Sequence, residues 1–139
     1  YFGIVGLAGN KRRLPNQAAW CFVSPQLDFD DPAYLSGCVG HGKKFPPENI
    51  SRFGPTHQEC KLLDGLMLAM DSQMLEATGL RFDERFKFHF YDMDFCRQAE
   101  MFKVKMGTIP LSVIHESEGH FISDEWSLAY QAYLNKWQS

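Results

Sequence analysis

Apolar residues fall in short runs along this chain, and turn-forming residues separate them. "YFGIVGLAG" at the start is almost wholly apolar and reads as a buried strand, closed by the turn chemistry of Gly9 and Asn10. Residues 11–16 form a polar loop, and "AAWCFV" reads as a second short strand. "SPQLDFDDPAY" is broken by Pro25 and Pro32 and reads as a loop. "LSGCVGHG" reads as a third strand weakened by its glycines. "KKFPPENISRFGPTH" has three prolines and no periodicity, which predicts a long loop of the kind that often carries function.

Order returns at Glu59. "ECKLLDGLMLAM" is apolar around Asp64-Gly65 and reads as two short strands with a kink or as one strand entering the core. "SQMLEATG" predicts a short helix, with Asp71 or Ser72 as N-cap and Gly79 as its stop. "LRFDERF" reads as a connector with Phe82 buried. Phe95, Ala99 and Phe102 recur at helical spacing and mark one face of a second helix. "KVKMGTIPLSVIH" holds two short strands broken near Pro110, and "ESEGHFIS" is a loop. The clearest helix is "DEWSLAYQAYLNKW". Ser123 caps it, Asp124 and Glu125 suit its positive end, Lys136 suits its negative end, and Trp126, Tyr130, Tyr133 and Trp137 share one stripe. The mixture, without repeat or linker, predicts a single domain over residues 1–139 of α/β or α+β class.

Composition narrows the function. At 139 residues the chain can bury a real core, and 45% hydrophobic against 22% charged residues makes it globular. A net charge of -3 argues against electrostatic nucleic-acid binding. Cys21, Cys38, Cys60 and Cys96 show no CxxC spacing, so buried free thiols in a reducing cytosol are the simplest reading and the expected location is cytoplasmic. No apolar run reaches the roughly 20 residues of a transmembrane segment, and no signal peptide is visible. No Gly-rich phosphate loop, nucleophile elbow or HExxH pattern occurs.

Three places carry candidate chemistry. In "KFHFYDMDFCRQAE", Asp92 and Asp94 are two residues apart, about 200° around a helix, so they cannot both face one ligand. If the helix starts at Met93, Asp92 is its N-cap and Asp94 a dipole-compensating charge. Alternatively Asp92 is a general base at a cleft, its pKa lowered by the helix end and raised by burial or by Asp94. His115 ends the strand "LSVIH" and is either a hydrogen-bonded strand-end residue or a metal or phosphate ligand; His120 is the weaker candidate. Asp64-Gly65 is either a turn or bulge, or a hydroxyl-binding carboxylate beside a glycine that lets a ligand approach. Trp20 is either buried or available to stack on a sugar ring.

Taken in order, four blocks resemble the second half of a family 2-like glycosyltransferase of the GT-A fold: "VGLAGN" with the Trp20 segment, "LLDGLMLAMDSQMLEATGLRFDERF", "FHFYDMDFCRQA" and "VIHESEGHF". The resemblance covers most of residues 1–137. It implies a partial nucleotide-diphospho-sugar transferase fold, a mixed sheet with flanking helices. It also implies transfer of a sugar from a nucleotide-sugar donor to a glycan or other hydroxyl acceptor. Asp92 would take the acceptor proton, and Asp94 would support the helix start or bind the acceptor. Asp64 and Gly65 would line the acceptor or donor-sugar side, and His115 would help hold a divalent metal, Mn or Mg. Tyr91 stands where the family has Glu, and Met101-Phe102 where a glycine stop is expected. The family's nucleotide-binding half and its Asp-x-Asp metal motif have no counterpart; "DFDD" at residues 28–31 lies in a Pro-flanked loop. The chain is therefore expected to be an acceptor-side portion, inactive alone, with an open sheet edge that would pair two copies into a homodimer. Two other readings are a non-catalytic carbohydrate- or protein-binding module and a self-contained small enzyme using Asp92 and His115.

Overall fold

A computed structural model describes residues 1–117 and 119–138. Glu118, inside the loop expected at "ESEGHFIS", lies outside the described residues. The first apolar run is two strands, not one: β1 (Ile4–Gly6) and β2 (Ala8–Asn10) belong to different sheets. Leu7, fully buried, stands at the crossing, and its carbonyl accepts a bond from Cys38 N–H. An unbroken apolar run is what a segment buried by both sheets requires, so hydropathy alone cannot show where it changes partner.

The remaining strands are β3 (Leu35–His41), β4 (Asn49–Gly54), β5 (Glu59–Cys60), β6 (Leu62–Leu63), β7 (Leu68–Met70), β8 (Met106–Thr108) and β9 (Ile114–His115). Among the described residues, one sheet runs β5-β8-β1-β7. The other runs β4-β3-β2-β6, with β9 also on β3. Each is mixed: β1 pairs parallel with β8 and antiparallel with β7, and β3 pairs parallel with β9 and antiparallel with β2 and β4. Because β4 occupies one edge of β3, β2 and β9 share the other. The helices are α1 (Ser72–Thr78), α2 (Tyr91–Met101) and α3 (Asp124–Trp137). The class is α+β.

Two segments differ from their sequence reading. The proline-rich stretch expected as a loop contains β4, whose register with β3 runs from Gly37 opposite Gly54 to His41 opposite Asn49. β4 is an edge strand with little burial, so it lacks the apolar alternation that would reveal it, and Pro46 and Pro47 precede it. Conversely, residues 18–23 do not form a strand. Ala18 N–H bonds Phe22 O in a turn, and the segment pairs only through an isolated bridge between Phe22 and Phe29. Its apolar side chains are buried by packing, with Trp20 edge-on to Phe53 at 4.8 Å, rather than by a ladder.

The helices follow their local signals more closely. The Asp71 carboxylate caps α1 through Gln73 and Met74 N–H, and Gly79 ends it in the left-handed conformation. Ser123 Oγ accepts from Trp126 N–H at the start of α3. α2 departs from expectation at its start. It begins at Tyr91 after Phe90, which is left-handed with φ 66° and makes no side-chain cap. The Phe90 ring is held between Tyr130 and Tyr133 of α3, stacked at 5.5 and 5.3 Å. At the other end no glycine is needed: Lys103 takes φ 57° and Val104 N–H bonds Ala99 O. Phe95 and Ala99 are buried as expected, but Phe102, at the C-cap, is half exposed. Phe82 is likewise exposed, and Phe86 fills the core in its place.

Among the described residues no helix is long and apolar enough to cross a membrane.

Candidate functional site

The start of α2, the loop around Trp20, the ends of β3 and β9 and the first turn of α3 enclose an open cavity of about 670 Å³. On one side stand Asp92 and Asp64. On another stand His41 and His115, which the parallel register of β3 and β9 places side by side, ring centroids 6.1 Å apart.

Asp92 is the second residue of α2 and not its N-cap. The earlier helix start moves the cap to Phe90 and turns the carboxylate toward the β6–β7 turn. Its Oδ2 accepts from Gly65 N–H at 2.9 Å and its Oδ1 from Met93 N–H at 2.8 Å. Burial, and then the charge of Asp64, push its pKa up to about 6, against the pull of those two N–H groups. Asp64 is also pushed up, by burial, and is partly held down by bonds from Leu66 N–H and the Trp20 indole. Both carboxyl groups are thus shifted upward, Asp64 by burial and Asp92 by burial and by the charge of Asp64.

The other residues singled out from sequence divide clearly. Trp20 is buried and lines the cavity near Asp64, where its indole helps to hold the Asp64 pKa down. Gly65 contributes its backbone: N–H to Asp92, and carbonyl to the Tyr91 hydroxyl at 2.9 Å. Asp94 lies outside the cavity, as the 200° separation requires. It is fully buried against α3, where it meets Lys136 Nζ at 2.6 Å and Trp137 Nε1 at 2.9 Å. A substrate-binding role does not suit that position. Asp30, in the loop of "DFDD", is also buried, and accepts from Arg12 and Asn10.

From sequence, His41 and His89 lack a recognisable ligand spacing and read as structural or surface residues, yet both line the cavity. Four of the chain's five histidines, His41, His89, His115 and His120, line this cavity. His41 Nε2 bonds Ser51 Oγ of β4 at 2.7 Å, which orients its ring. Only the β3–β9 and β3–β4 pairings reveal this convergence, since no regular spacing links residues 41 and 115 in sequence. His89 is partly buried, and that burial lowers its pKa. Phe88 and Phe121 also line the cavity and remain substantially exposed, Phe121 edge-on to Phe22. The result is a cleft with carboxylates, imidazoles and uncovered aromatic rings.

Among the described residues no group of three or more His, Cys, Asp or Glu side chains is arranged to hold an ion. His115 and His41 are adjacent imidazoles that could supply two ligands, and further ligands would have to come from a bound substrate or another segment.

No protein-family model matches the chain, and comparison with curated proteins finds no match.

Proposed function

We propose that the chain forms the acceptor side of a family 2-like glycosyltransferase of the GT-A type, moving a sugar from a nucleotide-sugar donor to a glycan or other hydroxyl acceptor. The observation that carries this reading is Asp92: a recessed carboxylate at a cavity, oriented by two backbone N–H groups, with a pKa of about 6. Such a group is ionised at neutral pH yet basic enough to take a proton from a hydroxyl as it attacks.

In the proposed step the acceptor hydroxyl gives its proton to Asp92. Its oxygen forms the bond to the anomeric carbon of the donor sugar. The bond from that carbon to the diphosphate oxygen breaks, and its electron pair leaves with the diphosphate. A divalent metal, Mn or Mg, would offset the charge developing on the leaving group when bound. His115, with His41 beside it, would be this chain's contribution to holding it. Leu66 N–H holds Asp64 in place, where it could accept a bond from a second acceptor hydroxyl.

The exposed Phe88 and Phe121 rings favour a sugar as occupant and would serve equally in a non-catalytic carbohydrate-binding module. Turnover separates the two. Transfer is measured with nucleotide-sugars and saccharide acceptors in the presence of Mn²⁺. The chain alone is compared with any longer form of the protein that carries a nucleotide-binding unit. The expected result is transfer that Asp92→Asn lowers by about 10²-fold or more while saccharide binding persists. Saccharide binding with no transfer in any form would establish the binding module instead.

A further inference from the structure

We propose that Tyr91 is a positioning residue for Asp92, acting through the backbone of Gly65; this rests on the reading of Asp92 as the base. Tyr91 and Asp92 are consecutive residues at the start of α2, and both bind the same residue of the β6–β7 turn. The Tyr91 hydroxyl donates to Gly65 O at 2.9 Å, and Gly65 N–H donates to Asp92 Oδ2 at 2.9 Å. The first turn of the helix thus grips one glycine by its carbonyl and its amide together, closing a ring of covalent and hydrogen bonds. Asp64 immediately precedes that glycine, so the same ring sets the position of one cavity carboxylate relative to the other.

Sequence and space agree on this arrangement. A Cβ on Gly65 would lie 2.4 Å from Tyr91 Oη and 2.6 Å from its Cζ, so the aromatic ring covers the turn only because residue 65 has no side chain. The Tyr91 ring also packs edge-on to Phe82, ring centroids 6.1 Å apart. The hydroxyl and the Asp92 carboxylate hold the two backbone polar groups of one residue, Gly65. Loss of the hydroxyl frees the turn to shift, and the N–H bond that orients Asp92 Oδ2 weakens. A displacement of a fraction of an ångström at a base affects the reaction far more than it affects substrate affinity.

The substitution Tyr91→Phe removes the hydroxyl and keeps the ring. The first readout is a carboxyl-carbon NMR titration of Asp92 in the whole chain, with Asp64 followed in parallel. The groups that share its surroundings, Asp64, Cys21, His89 and Cys96, are unchanged by the substitution. Weakening the Gly65 N–H bond is expected to raise the Asp92 midpoint by about 0.5 pH or more, because that bond favours the ionised form. The second readout is transfer, where kcat is expected to fall about 10-fold with the acceptor KM within about 2-fold. An Asp92 midpoint identical to wild type in Tyr91→Phe would overturn the proposal, as would an unchanged kcat in a protein that transfers. Gly65→Ala provides a second variant that displaces the same ring from the other side, with the same direction expected in the titration. A shifted midpoint in a protein that never transfers would refute the transferase reading and leave the Tyr91–Gly65 link standing.

Discussion

Lys136 Nζ lies 2.6 Å from Asp94 Oδ1, tying the last turn of α3 to the first turn of α2. The same ammonium reaches Asp83 Oδ2 at 2.8 Å, so one cation joins α3, α2 and the connector before α2. The tie explains why Asp94 is buried and charged without being part of the cavity.

Asp94→Ala should therefore destabilise the fold by about 2 kcal/mol, since it leaves Lys136 with Asp83 alone and the Trp137 indole and Gln98 amide N–H groups without their acceptor. Chemical denaturation checks this. At a temperature where the variant stays folded, saccharide binding should be unchanged, because the lost contacts lie on the far side of α2.

Asp92 makes the opposite prediction. Its folded pKa, about 6, lies above its ordinary value of 3.8. Between those two pH values the folded protein holds a proton that the unfolded chain has released. Stability therefore falls as pH rises through that window, and above it the ionised carboxylate works against the fold. Asn cannot ionise, so Asp92→Asn should remove this slope and gain on the order of 1–3 kcal/mol at pH 7. Parallel urea titrations from pH 4 to 8 would check it. A variant that is both more stable and less active would fit a base held in an unfavourable place.

Transfer itself should follow the same ionisation. The rate at saturating donor should rise with pH and level off above about 6, as Asp92 loses its proton. Stopped-time assays across pH 5 to 8 measure the profile, and a flat profile would count against Asp92 as the base.

Gly37 supports the crossing of the two sheets. It is left-handed, with φ 111°, and a Cβ there would lie 2.0 Å from Leu7 O. The contact is with backbone, which cannot swing aside. Gly37→Ala should cost more than about 3 kcal/mol or prevent folding. Gly79→Ala is the control. It is also left-handed, but its Cβ would meet nothing within 4 Å, so the expected cost is only about 1 kcal/mol. Thermal melts of the pair separate steric exclusion from backbone preference.

Much of this protein is determined by sequence close at hand. Ser123 and Asp71 announce their helices because a cap is a bond between residues two or three apart, and Gly79 stops α1 for an equally local reason. The inequality of Asp92 and Asp94 also follows from helical geometry alone, although which of them faces a cavity does not. The tertiary structure decided the rest. α2 starts at Tyr91 because stacking on Tyr130 and Tyr133 holds Phe90 in a conformation that no local signal favours. β4 forms because β3 offers an edge, and His41 meets His115 because β9 lies parallel beside β3. Asp92 has an unusual pKa because distant segments exclude water from it and bring Asp64 close. Hydrogen bonds between near neighbours are written in the local pattern. Strand partners, desolvation and the convergence of side chains depend on which distant segments meet, and only the folded chain specifies that.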